Sequence, residues 1–340
     1  MLSIHPERKT VSVRNLETGE EFEEHYDKLL LSPGARPVQP EIPGVGLENL
    51  FTLRTVEDTM RIKAYIETHQ PKSVVLAGGG FIGLELAENL RESGMDVTIV
   101  QRAKQLMNPF DPDMASFIHS EMRRHGVTLA LGHTVEGFVE KEGGIDVLLK
   151  GEDPIHADMG ILAIGVAPDA KLAGEAGIKL GIKGSIVVNE RMETSIPDIY
   201  AVGDAVQIKN AVSGEEDLIS LAGPANKQGR IAADNICGGN SSYSGAQGSS
   251  VIKVFDMTAA TTGLNEKRAK KLGIDTDKVI LSPMSHAGYY PGGKVMTMKV
   301  LFEKETNRLL GAQVVGYEGV DKRIDVLATA IHCLLYTSDA

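Results

Sequence analysis

Alternation and helical spacing divide the chain before any motif is considered. Val11 and Val13 alternate with polar neighbours, residues 17–20 signal a turn, and Leu29-Leu30-Leu31 runs into Ser32-Pro33-Gly34, so a hairpin and a buried strand are predicted over 9–34. A Pro-rich connection through Pro40 and Pro43 follows. From Lys72 the pattern becomes strand, helix, strand, helix. Val74-Val75-Leu76 leads into Gly78-Gly79-Gly80, and Leu86, Ala87 and Leu90 recur at helical spacing until Gly94. Val97 to Val100 reads as the next strand. Asp111-Pro112 then supplies an N-cap and a first-turn proline ahead of Met114, Phe117, Ile118 and Met122, a helix closed by Gly126.

The apolar run Ile161-Leu162-Ala163-Ile164 passes into Gly165-Val166-Ala167-Pro168, repeating the earlier strand that ends in Gly34-Ala35-Arg36-Pro37. The repeat of a strand running into Gly-x-x-Pro points to two related nucleotide-binding domains, the second complete and the first visible only from its late strands onward. From about Val251 a third pattern begins, with strands around Val254, Val279, 295–302 and 309–315 and helices over 265–272 and from Asp321 to about His332. It reads as a separate α+β domain.

Composition narrows the function classes. The 340 residues carry 35 Lys and Arg against 46 Asp and Glu, a formal net charge of -11, with no basic run, so nucleic acid and anionic membranes are not expected partners. The apolar-rich uncharged stretches 73–84 and 326–338 fall short of the roughly 18 apolar residues of a membrane span. Pro6, Glu7, Arg8 and Lys9 stand where an export signal needs an apolar run. The two cysteines, Cys237 and Cys333, lie far apart and outside any CxxC spacing, which predicts neither a disulfide framework nor a zinc site and agrees with a reducing, cytoplasmic setting. By residue type, Cys237 at a helix end reads as buried and structural.

Gly78-x-Gly80-x-x-Gly83 directly follows a strand and opens a helix, the context in which such glycines carry chemistry. The first permits the sharp turn, the second lets a diphosphate approach the backbone, and the third lets helix and strand pack closely, with the diphosphate on the helix N-terminus. About 20 residues on, where a carboxylate would hold the adenosine ribose, stand Gln101 and Arg102. A neutral amide still bonds to a ribose and a guanidinium suits a 2′-phosphate, so NADPH is expected at least as readily as NADH. Arg102 reads equally as a solvated surface charge.

The strings GGGFIGLELAENL, SIPDIYAVGDAV, LAGPANKQGRIAADNI and SHAGYYPGG together resemble the FAD-dependent pyridine nucleotide-disulfide oxidoreductases, in particular the coenzyme A disulfide reductase and NADH oxidase branch. The resemblance implies an α/β protein with two Rossmann-like dinucleotide-binding domains and a C-terminal α+β dimerisation domain. The FAD domain would occupy 1–46 and 169–250 and be incomplete, the NAD(P)H domain 47–168, and the dimerisation domain 251–332. It implies a homodimer that passes a hydride from NADPH or NADH through FAD to a small disulfide or persulfide. NADH oxidase or peroxidase activity, or reduction of a protein electron acceptor, are the alternatives.

Residue by residue, the resemblance implies that Asp204 binds the ribitol of FAD, although composition alone makes it an ordinary N-cap. Leu221, Ala222 and Asn226 would lie by the flavin, with Ser32, Pro33 and Gly34 ending a strand of the same domain. Gly165 closes the corresponding strand of the coenzyme domain. Phe81 and Glu85 would sit at the nicotinamide, Phe81 shielding the flavin until the coenzyme displaces it; otherwise they are a core aromatic and a solvated helix charge. Tyr289 and Tyr290 hold the place from which this branch supplies a tyrosine to the disulfide site as a proton donor; otherwise their rings pack on the sheet. The family's N-terminal FAD-binding glycine motif and its redox cysteine are absent from the sequence, which predicts little bound flavin. The closing CLLYTSDA, 333–340, departs from the family and reads as foreign.

Overall fold

The computed structural model describes residues 1–334, of which two compact units are formed: residues 1–36 with 166–248, and 37–165 with 249 onward. Most of the 333–340 segment lies outside the described residues.

The first unit holds an antiparallel sheet of Ser3–His5, Thr10–Arg14 and Glu21–His25 and a parallel pair of Leu29–Leu31 with Ile199–Ala201. Its core gathers Ile4, Leu31, Ile186, Ile199, Ala201 and Ala232. The turn between Thr10–Arg14 and Glu21–His25 is held by Asn15, whose Oδ1 accepts from the amides of Glu17 and Thr18, which is why short polar residues sit there.

The second unit is built around a five-stranded parallel sheet in the order Leu50–Thr52, Met159–Leu162, Ser73–Ala77, Asp96–Gln101, Thr128–Leu131. Its strands are near-continuous apolar runs because both faces are covered. The helices Phe81–Glu92 and Pro112–Arg124 bury Leu84, Ala87 and Leu90, and Met114, Ile118 and Met122. The same unit contains a five-stranded antiparallel sheet, Ser250–Val254, Met257–Gly263, Leu309–Gly316, Met296–Glu303, Thr276–Leu281, with the helix Val320–His332 against it. Ile252, Val254, Phe255 and Met257 from this sheet share one core with Leu84, Ala87 and Met122, so the domain over 251–332 packs as one body with the parallel sheet.

The boundary near residue 46 moves to residue 36. Val38 N–H donates to the Gly165 carbonyl and Phe138 N–H to that of Pro43, tying the Pro-rich connection to the second unit. A Pro-rich segment looks like a linker in one dimension, and only these long-range bonds reassign it.

One buried charge binds the antiparallel sheet to the parallel one. Lys299 is 1% exposed, and its Nζ donates to Asp113 at 2.8 Å, to Asp111 at 3.0 Å and to Glu266. The sequence correctly marks Asp111 as an N-cap, but its side chain makes no cap bond; it accepts from Gln313 Nε2 at 2.7 Å and from the Glu266 amide at 3.0 Å. Lys299→Met leaves Asp111 buried without its cation, so a loss of about 3 kcal/mol in urea unfolding is expected.

The pH window of that contribution follows from its groups. Burial alone pushes Asp113 and Glu266 up, yet bonds to Lys299, and to Lys278 for Glu266, hold both below their usual values. Their contribution is complete above about pH 4.5 and is lost as pH falls through those depressed values. Burial pushes Lys299 down, but its three carboxylates carry it above its usual value, so its share is full below about pH 10.4 and fades only as pH rises past that. In Lys299→Met, the acid side of the stability profile measured by urea unfolding is expected to flatten.

Candidate coenzyme site

The glycine turn sits at the C-terminal edge of the parallel sheet, where open α/β sheets bind ligands. Gly78 has φ +117, and a Cβ there would meet the Ala163 carbonyl oxygen at 2.3 Å. A Cβ on Gly83 would meet the Gly78 carbonyl oxygen at 2.1 Å. Gly80 differs from both, since nothing lies within 4 Å of its would-be Cβ. It is the N-cap of the helix Phe81–Glu92, makes no side-chain cap bond, and no acidic residue stands in the first turn. The first-turn amides therefore face open space, a cradle that fits an anionic diphosphate.

The turn is braced from below by residues the motif does not mention. Gly79 N–H donates to Gln101 Oε1 at 3.2 Å, the Gly79 carbonyl accepts from Met107 N–H at 2.8 Å, and Leu106 fills the space a Gly79 side chain would need. Leu106 N–H donates to His119 Nε2 at 3.0 Å. Burial, with help from Arg123, pushes His119 below its usual value, which keeps that nitrogen an acceptor at neutral pH. Leu106 and His119 are apolar-run and helix residues with no motif of their own, so only the fold reveals their part.

Gln101 is the acceptor for Gly79, and its Nε2 reaches the Gln105 carbonyl at 3.4 Å. Arg102 and Lys104 are exposed beside it at the sheet edge, and Gly132 and His133 amides bond to the Gln101 carbonyl. Phe81 is partly buried against the core and Glu85 is exposed on the same helix. Gly165, with φ +114, ends the segment that follows Met159–Leu162, joined to the glycine strand by Ala163 N–H to the Ala77 carbonyl at 2.8 Å. These residues are thus gathered on one edge of one sheet.

In the first unit, Gly203 has φ +81 and its N–H donates to the buried Gln228 Oε1 at 2.7 Å. Asp204 lies inside the short 3-10 turn Gly203–Ala205, whose N-cap position is taken by the extended Val202, so it is not an N-cap. The strand Leu29–Leu31 runs beside this turn through Val202 N–H to the Leu31 carbonyl, placing Ser32 next in line, and Gly34 accepts from Asp169 N–H. Leu221 is the N-cap of the helix Ala222–Ile236, without a side-chain cap bond, and Asn226 is exposed on its second turn. A carboxylate beside an uncapped helix N-terminus fits a hydroxyl-rich phosphate ester such as the flavin cofactor.

Tyr289 and Tyr290 lie elsewhere, on the loop between Thr276–Leu281 and Met296–Glu303, 92% and 67% exposed. Neither ring packs on the sheet; Tyr290 stands edge-on to His286 at 5.6 Å. Cys237 is exposed as the C-cap of Ala222–Ile236, not buried, because the helix stops at Gly238-Gly239 with that face in solvent. No helix among the described residues is long and apolar enough to cross a membrane.

The family model for pyridine nucleotide-disulphide oxidoreductases matches residues 1–229, and that for the dimerisation domain of the same family matches residues 249–340. The chain belongs to the pyridine nucleotide-disulphide oxidoreductase family. An NADH oxidase of Methanocaldococcus jannaschii is 40% identical over 314 residues, 92% of this chain and 69% of that protein. A coenzyme A disulfide reductase of Staphylococcus aureus is 35% identical over 334 residues, 97% of this chain and 74% of its own length. The crystal structure of reduced Bacillus anthracis CoADR-RHD superposes with a TM-score of 0.97 at 49% identity, over 99% of this chain. This chain spans 60% of that one. FAD and NAD(P)H are the cofactors of this family.

The three glycines separate fold from binding. Gly80→Ala is expected to leave the urea unfolding midpoint nearly unchanged while weakening NAD(P)H binding at least tenfold by calorimetry, because its Cβ enters only the diphosphate space. Gly78→Ala is expected to lower stability itself by about 2 kcal/mol, from positive φ and backbone overlap.

Proposed function

We propose that the protein is a flavoprotein oxidoreductase that uses NAD(P)H to reduce a small disulfide, coenzyme A disulfide or a persulfide of the same class. The observation that carries the coenzyme half is the uncapped helix start at Gly80, open where a Cβ would stand. The acceptor half is supported by the likeness to the S. aureus enzyme. Bound NAD(P)H would supply a hydride and bound FAD would relay the electron pair.

Around those groups the chain's own residues have distinct tasks. Amides of the Phe81–Glu92 first turn would hold the coenzyme diphosphate, and the Phe81 ring and Glu85 on the same helix would lie by its nicotinamide. Asp204 accepts from ribitol hydroxyls, and the Leu221–Asn226 turn carries the flavin's polar edge. Tyr289, fully in solvent within one chain, is the proton donor to a leaving thiolate when a second chain pairs through the exposed apolar positions Val279, Ile280, Leu281 and Val326. The two exposed, unpaired cysteines suit a reducing cytoplasm.

The acceptor is tested in a chain extended to the full length of these relatives and loaded with FAD, by following NAD(P)H consumption. Coenzyme A disulfide is expected to sustain turnover well above dioxygen, and Tyr289→Phe to lower that rate about tenfold or more. Turnover with dioxygen alone would instead place the protein with the M. jannaschii NADH oxidase.

Coenzyme choice rests on Arg102. No carboxylate ends the strand Asp96–Gln101, and Arg102 and Lys104, exposed just beyond it, would pair with a 2′-phosphate. An exposed pair contributes up to about 1 kcal/mol, so the preference is modest and both coenzymes bind. Arg102→Ala is expected to raise KM for NADPH several-fold and leave NADH nearly unchanged, while Gln101→Glu shifts the preference towards NADH. Equal losses with both coenzymes would mean that Arg102 supports the fold.

A further inference from the structure

The end of the helix Pro112–Arg124 carries a cluster that the coenzyme chemistry does not use. Glu121 and His125, one helical turn apart, project on the same face, and Asp256 faces them from the turn between Ser250–Val254 and Met257–Gly263. His125 Nε2 is 3.2 Å from Glu121 Oε1 and 3.5 Å from Asp256 Oδ2, and the three ligand atoms lie within 4.8 Å of one another.

We infer that Glu121, His125 and Asp256 form a binding site for a divalent transition-metal ion, zinc foremost. Bonds of 2.0–2.2 Å at tetrahedral angles put ligand atoms about 3.4 Å apart, which is the spacing of His125 to each carboxylate. The donor set, one imidazole and two carboxylates, leaves a fourth place for water, and a cavity of about 520 Å³ bordered by His125, Asp256, Glu92 and Lys253 opens onto it.

The surroundings hold the ligands in place. Glu121 is 2% exposed, and its second oxygen accepts from Tyr317 O–H at 3.0 Å, which orients the carboxylate. The His125 ring lies flat on Phe255, centroids 4.1 Å apart and planes 1° apart, so its rotation is restricted. His125 is also the C-cap, where the helix dipole favours a cation.

A cation already occupies the neighbourhood. Arg124 bonds to Glu121 at 2.8 Å, lies 3.7 Å from Asp256 and stands over the Tyr317 ring at 5.4 Å, but its side chain is 54% exposed, so a metal has to displace it towards solvent. The metal takes over its charge and clips the end of Pro112–Arg124 to the first turn of the antiparallel sheet.

Zinc chloride titration by calorimetry tests this on the whole chain, in a Cys237→Ser, Cys333→Ser background so that thiols do not take the ion. One ion per chain is expected, with a raised thermal unfolding midpoint. His125→Gln and Asp256→Asn should each weaken binding at least tenfold, whereas His156→Gln, at an exposed His–Asp pair elsewhere, should not. Asp256 is exposed, so its variant keeps the test alive if the helix variant misfolds. The sign for Arg124→Ala is decisive: tighter zinc binding is expected because a competing cation leaves. No binding by the parent, equal binding in His125→Gln and Asp256→Asn, or weaker binding in Arg124→Ala would each show that the cluster is an ion-pair network alone.

Discussion

A buried ammonium cannot be left unpaired, and most of the second unit is arranged around that requirement. Lys299 comes from the antiparallel sheet, yet Asp111 and Asp113 open the helix Pro112–Arg124 and Glu266 opens the helix Glu266–Lys271. Satisfying one charge therefore fixes the starts of two helices against a strand. Gln313, from the neighbouring strand, reads Asp111 twice, through its side chain and its amide, and removes the remaining freedom. The loop that ends at Asp111 is the one whose Met107 and Leu106 support Gly79. The loop that braces the glycine turn is thus anchored at its far end by this cluster of one ammonium and three carboxylates.

The turn itself shows how little room a backbone cradle leaves for error. Two of the three motif glycines serve internal packing, against the Ala163 carbonyl and against the turn's own Gly78 carbonyl. Only the middle one faces outward. The motif as written treats the three alike, and the difference appears only when the missing side chain is placed and its neighbours are found. Binding specificity for an anion then comes from amide geometry and helix polarity, with no charged side chain in the first helical turn.

Periodicity carried much of this architecture into the sequence. The strand before Gly78, the helix running to Glu92 and the N-cap at Asp111 are local signals, set by neighbours within four residues. What could not be read were partners far along the chain. Asp111 looked like a cap and is one by backbone position, but its carboxylate belongs to a strand some two hundred residues away. Residues 37–46 looked like a linker until the Val38 amide met the Gly165 carbonyl and the Pro43 carbonyl met the Phe138 amide. Cys237 looked buried because cysteines usually are, and a C-cap facing two glycines is not. Gln228 stood inside a recognisable string without any hint that it receives the Gly203 amide.

The neutral residue at the end of Asp96–Gln101 carries more meaning than the lack of a carboxylate. Gln101 accepts from the Gly79 amide and donates to the Gln105 carbonyl, so it joins the glycine turn to the loop that presents Arg102 and Lys104. A carboxylate in its place can accept from Gly79 but has no proton for Gln105, and that loop would lose one of its anchors. Met107 on the Gly79 carbonyl and Leu106 on His119 would remain. The side chain whose neutrality would spare a 2′-phosphate from repulsion, as proposed above, is therefore the same one that holds the arginine's loop against the glycine turn.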